Sequence, residues 1–258
     1  MLRKLIVLLA SLLVTLAASA VEPISMASAI NVAGEQRMLS QRLAKAYVQA
    51  GLDVVPGVAR EQLRDSMSRF DANLVRLRAV SAEIPAAEFP LQQLILRWAS
   101  LREAANAPAS KDAALQVSRR SLDVLDSAEE LVGMLETAPG GQAGHRVNLA
   151  GRQRMLSQRL VKAYMLYSWG VDRSVSLAEL EDTAREFSAG LARLAALPEN
   201  SAGMRQELDE IALQWEWLQT ALSAEGASSF RLVVAEAGDS ILSATDRLTL
   251  LYEQVGGR

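Results

Sequence analysis

Two short clusters in this chain set an arginine fork beside a bare stretch of helix. The first is Asn31, Gly34 and Arg37, and the second is Asn148, Gly151 and Arg154; Gln41 and Arg42 follow the first as Gln158 and Arg159 follow the second. Arginine presents a planar set of N–H donors whose charge does not titrate away, a geometry suited to flat oxyanions. A glycine inside a helix costs about 1 kcal/mol relative to alanine. Its place one turn before each arginine therefore needs an offsetting gain. That gain is close approach, because another backbone or a small ligand can reach the helix where a Cβ would stand. The chemistry indicated is small-anion binding at Gly34, Arg37, Gly151 and Arg154, with Asn31, Gln41, Arg42, Asn148, Gln158 and Arg159 as secondary candidates. Two plainer readings compete with it: a solvated helix face whose charges are met by neighbouring acids, and a seam between helices with small residues at the crossing.

Both clusters lie in a block written twice. Asn31 to Tyr47 returns as Asn148 to Tyr164, and the copies differ only at 32/149, 35/152 and 44/161. The 117-residue spacing continues without a gap through Phe70/Phe187, Leu74/Leu191, Trp98/Trp215 and Glu136/Glu253. One unit has been duplicated in tandem. Outside the block the copies share mainly apolar anchors, so the likeness inside it points to a role beyond packing. On a helix turning about 100° per residue, Val32, Leu39, Leu43, Ala46 and Ala50 fall in one core-facing arc. Asn31, Gly34, Met38, Gln41, Arg42 and Lys45 fall opposite, with Arg37 at the edge of their arc.

The elements that position these residues read as helices throughout. The first is expected from about Ile24 to Asp53, and Pro56 opens a second that carries Leu63, Phe70, Leu74 and Leu77 at helical spacing. A third follows Pro85 and Pro90 and carries Leu94, Trp98 and Leu101; a fourth runs after Pro108 through Leu122, Leu125, Leu131 and Leu135 to Pro139-Gly140-Gly141. The second repeat copies this plan, punctuated by Pro198 and Gly226. The fold class expected is all-α, two tandem antiparallel four-helix bundles of eight helices in all, over residues 21–138 and 139–258. In that topology the fourth helix ends where the first began, so the first and fifth helices can run parallel.

Residues 1–20 carry Arg3 and Lys4, an apolar run from Leu5 to Ala18, and Ala18-Ser19-Ala20 before Val21. This reads as a cleavable signal peptide and places the rest in the periplasm. Removing the two basic residues leaves 25 basic against 30 acidic side chains, a balance unfavourable to nucleic acid. The chain has no cysteine and one histidine, His145. Disulfides, thiolate metal sites and a lipidated cysteine are thereby excluded, and no metal, cofactor or enzyme activity is expected. Met38 and Met155 read as seam packing, and Trp98 and Trp215 as bundle anchors.

With these residues in view, the block resembles the P-box of NarX-type nitrate/nitrite sensors and of the PilJ-like domain, the N-terminal domain of type IV pili methyl-accepting chemotaxis transducers. Both copies match the pattern Asn-x-Ala-Gly-x-x-Arg-Met-x-Ser-x-Arg. The resemblance implies a periplasmic four-helix sensory bundle in which a small anion such as nitrate or nitrite sits between first helices. Carried over by position, its site is Gly34 and Arg37, then Gly151 and Arg154, with Arg42 and Arg159 matching a further arginine. Those sensors commonly carry lysine two residues before the glycine, where this chain has Val32 and Leu149. The tandem copy is expected to act as a covalent dimer, Arg37 and Arg154 facing one anion; two independent sites or a homodimer are the other arrangements. A periplasmic or membrane signalling partner is implied. The alternative is a ligand-independent accessory protein that docks on such a partner through exposed residues such as Trp169 or Trp217.

Overall fold

The computed structural model describes residues 24–223 and 230–256; the signal-peptide expectation and Gly226 lie outside them. Among the described residues there are eight α-helices and no strand: α1 Met26–Gly51, α2 Pro56–Glu83, α3 Glu88–Ala104, α4 Lys111–Thr137, α5 His145–Trp169, α6 Arg173–Ala195, α7 Ala202–Ser223 and α8 Arg231–Gly256. Short 3₁₀ turns at Pro85–Ala87 and Gly141–Gly144 lead into α3 and α5. Pro90 lies inside the first turn of α3 rather than before it. A proline is tolerated there because the first-turn N–H groups have no helical partner.

The helix starts follow local chemistry. Ser25 and Ser110 cap α1 and α4, their hydroxyls accepting from the amides of Ser28 at 3.2 Å and Ala113 at 3.1 Å. Pro56 sits at the first position of α2, where its fixed φ suits the helix. The turn before α2 and its counterpart before α6 share a backbone path. Asp53 and Gly170 have φ of 56° and 77°, and Val55 and Asp172 have φ of 44° and 41°. Val55 is the costly one, because a β-branched side chain crowds the left-handed region.

Each repeat closes on an aromatic pair. Phe70 stacks on Trp98 with ring centroids 3.9 Å apart, and Phe187 meets Trp215 at 4.5 Å. The indole N–H groups donate to Asp71 at 2.8 Å and Ser188 at 3.0 Å, positions again 117 apart, so both tryptophans anchor the bundles. Within the repeats α1 packs on α2 and α4 and α3 on α4, while α5 packs on α6 and α8 and α7 on α8.

The repeats join through α1 and α5, which pack along one another at the centre. Ile30 lies against Gly144 where α5 begins and Gly51 against Trp169 where it ends, so the two helices run parallel; between these points Arg37 and Asn148 cross Asn31 and Arg154, and Gln41 meets Lys162. This corrects the picture of a helix with one buried face. Gly34, Arg37, Met38, Gln41 and Lys45 are buried as fully as Leu39 and Leu43, because the side opposite the bundle core is covered by the other repeat. The solvated-face reading fails here, and Met38 and Met155 are fully buried at the seam. Trp169 is half-buried, its ring lying where a Cβ on Gly51 would stand, whereas Trp217 is exposed.

Candidate functional site

The two arginines occupy equivalent positions in the seam. Arg37 donates through Nη2 to Asn148 Oδ1 at 2.6 Å, through Nη1 to Glu129 at 2.7 Å and through Nε to the Gly34 carbonyl at 3.4 Å. Arg154 donates through Nη2 to Asn31 Oδ1, also at 2.6 Å, and through Nη1 to Asp246 at 3.0 Å. Each arginine is thus held by the asparagine of the other repeat and by an acid on the last helix of its own.

The glycines explain themselves in this geometry. A Cβ on Gly34 would stand 2.9 Å from Arg37 Nη2, and one on Gly151 would stand 3.2 Å from Arg154 Nη2 and 3.7 Å from Arg37 Nη2. The absent side chain therefore admits a guanidinium, folded back along its own helix as helical side chains lean. Both Nη2 atoms lie within 3.7 Å of one point over Gly151, and so less than twice that distance from one another. Burial pushes the Arg37 guanidinium below its usual range, Glu129 opposes that, and Arg152 and Arg154 add to it by like-charge repulsion.

The two halves are not equally satisfied. Glu129 is shared, since Arg152 also binds it at 2.5 Å. Asp246 has Arg154 alone as its ion-pair partner among the described residues. Arg154 Nε is buried with no partner.

A second polar layer follows four to eight residues on, about 6–12 Å along the helices. Gln41 donates to Ser40 and to the Ser121 carbonyl, and its Oε1 accepts from Lys162 at 2.8 Å. Gln158 repeats those donor bonds with Ser157 and the Gly238 carbonyl, but its Oε1 has no partner. Lys45 and Lys162 are fully buried, and burial lowers the pKa of both. Lys45 pairs with Asp239 of α8, in the other repeat, whereas Lys162 pairs with Glu179 of α6, in its own, at 2.9 Å. Arg42 turns away from the seam to Asp65 on α2, whereas Arg159 joins Lys162 on the same oxygen of Glu179, at 2.9 Å. His145 opens α5 with its ring exposed, 3.2 Å from Glu136.

Sequence reasoning thus brought Gly34, Arg37, Gly151, Arg154, Asn31 and Asn148 to one place, and Gln41 and Gln158 to a layer beside it. It missed Glu129 and Asp246. The signal was present, because these positions are 117 residues apart and both acidic.

Comparison with known proteins agrees with this architecture. The model of the family described as type IV pili methyl-accepting chemotaxis transducer N-terminal domain, PilJ, matches residues 24–124 and again 141–240. Neither the curated proteins nor the solved structures yield a match. The two matches span most of the chain, one beginning just before α1 and the other just before α5, and the chain belongs to the PilJ family as a tandem pair of its N-terminal transducer domain.

Proposed function

We propose that this protein is a periplasmic sensory module that binds a small oxyanion of the nitrate or nitrite type at the α1–α5 seam and reports it to a signalling partner. The observation that carries the reading is the paired Arg–Asn arrangement, with both guanidinium groups close to one point and each backed by a glycine. Nη2 atoms this close are within reach of one oxyanion accepting hydrogen bonds of about 2.8 Å from both forks. It also relieves the repulsion between the two cations.

The acids supply the means of response. Glu129 and Asp246 hold the arginines as internal carboxylates where an external anion would compete. Asp246 is held by one ion pair and Glu129 by two, and Arg154 has a donor to spare. Exchange therefore begins at Arg154 and frees Asp246, loosening α8 from the seam, and a partner that reads the position of α8 receives the signal. A four-heavy-atom ion at about -1.5 kcal/mol per atom gains about -6 kcal/mol, a dissociation constant of tens of micromolar at best.

The test is thermal melting of the purified protein against nitrate, nitrite, chloride and sulfate at constant ionic strength, in the native sequence and in Arg154→Gln. Stabilisation by nitrate or nitrite that Arg154→Gln abolishes supports the reading. Equal shifts from all four anions, or none, would overturn it. The second reading, a ligand-independent accessory protein, is favoured by Leu213 and Trp217, one turn apart on α7 and 69% and 54% exposed. Quenching of Trp217 fluorescence by a candidate sensor domain without any anion would support that reading instead.

A further inference from the structure

The two repeats also share a feature at the edge of the seam. A cleft of about 390 Å³ opens between α1, α2 and α8, and one of about 400 Å³ opens beside α5 and α6. Six lining positions of the first, between Ser28 and Arg76, have their equivalents 117 residues on in the second, ending at Arg193. Both volumes lie within the range of small-molecule sites.

The first cleft contains three arginines, Arg69, Arg76 and Arg154, and three acids, Glu35, Asp246 and Glu253. Arg69 pairs with Glu35 and Arg154 with Asp246. Two charges are left over. Arg76 makes no hydrogen bond or ion pair among the described residues, and Glu253 accepts only from the neutral amide of Asn31, at 2.5 Å. Val32 and Leu250 give the cleft apolar wall between them. We infer that this cleft binds a small zwitterion of the α-amino-acid type, its carboxylate on Arg76, its ammonium on Glu253 and its side chain against Leu250. A ligand of zero net charge with one group of each sign leaves every charged group in the cleft paired.

The second cleft offers the counterpart arginine, Arg193, but not the acid. Glu136, equivalent to Glu253, is taken up by His145 and does not line it. Binding should therefore occur once per chain. The site shares Arg154 and Asp246 with the seam but rests on Arg76 and Glu253, so its occupancy and the anion response can fail separately.

The experiment is thermal shift of the full chain with each standard L-amino acid at millimolar concentration, followed by calorimetric titration of the responders. Their N-acetyl and carboxamide derivatives are titrated in parallel. At least one amino acid should bind with a stoichiometry of one, and Arg76→Gln and Glu253→Gln should each weaken it about tenfold, equivalent to about 1.4 kcal/mol. Neither blocked derivative should bind, and the nitrate response of Arg76→Gln should be unchanged. No amino-acid response, a response indifferent to both substitutions, or equal binding of a blocked derivative would overturn the assignment.

Discussion

Alanine at Gly34 and at Gly151 should have different consequences, although the two glycines hold equivalent positions in the repeated block. In a helix each substitution gains about 1 kcal/mol of propensity. Against that stands the guanidinium that fills the notch. At Gly151 the new Cβ would sit 3.2 Å from Arg154 Nη2, a contact relieved by a shift of a few tenths of an ångström in a side chain whose Nε is tied to nothing. At Gly34 the separation would be 2.9 Å, and the arginine that must move is fully buried and held at all three nitrogens, by Asn148, Glu129 and the Gly34 carbonyl. Displacing Nη2 from Asn148 forfeits a charge-assisted hydrogen bond worth about 1.5–3 kcal/mol. Gly34→Ala should thus be destabilised by about 0.5–2 kcal/mol, whereas Gly151→Ala should fall between neutral and about 1 kcal/mol more stable. In a domain of this size each kcal/mol moves the melting temperature by about 2–4 °C. Urea unfolding of both variants checks the ordering, with the slope showing that the unfolded state is unchanged. A Gly34→Ala protein stabilised by the full propensity gain would refute the reasoning, since Arg37 could not then be filling the notch.

Three further expectations follow from the same contacts. Lys162→Met leaves Gln41 Oε1 unpaired in the seam and should cost about 1–3 kcal/mol, whereas Lys45→Met leaves Asp239 one-third exposed and still bonded to Gln62, and should cost less than about 1 kcal/mol; chemical denaturation separates the two. Val55→Asn should stabilise by about 1 kcal/mol by relieving a β-branched residue at a φ of 44°, read as a rise in melting temperature. The Tyr252 hydroxyl donates to Asn200 Oδ1 at 2.5 Å, and burial, helped by Glu199, pushes its pKa from 10.0 up to about 12. A folded-state pKa raised in this way gives stability that is present below pH 10 and lost as the pH rises toward 12. Native protein should lose stability over that window that Tyr252→Phe does not, as measured by urea unfolding at pH 9 and pH 11.5.

The helices were legible because their signals are local. Ser110, Pro56 and the three-and-four spacing of Leu94, Trp98 and Leu101 each act within a turn or two of chain. The parallel seam was legible for a different reason, as a consequence of up-and-down topology and duplication. What single-helix reasoning could not supply was the second repeat covering the face it left over. A wheel drawn for α1 alone sends Lys45 and Gln41 to solvent, and only α5 and α8 bring Lys162 and Asp239 to meet them. Arg42 shows the converse. It lies in the repeated block beside Gln41, yet α2 offers Asp65 on the outer side and draws it away from the seam. The acids that satisfy the arginines lie 92 residues downstream, and their link to the block appears only when the copies are aligned with each other.

In the function proposed for this protein, the seam exchanges an internal carboxylate for an external oxyanion. It is tested most directly by calorimetric titration of nitrate into the native protein, Arg154→Gln and Asp246→Asn at fixed ionic strength. Nitrate should bind weakly to the native protein, not at all to Arg154→Gln, and more tightly to Asp246→Asn, in which the competing carboxylate has become a neutral amide. Binding unchanged across all three would contradict it.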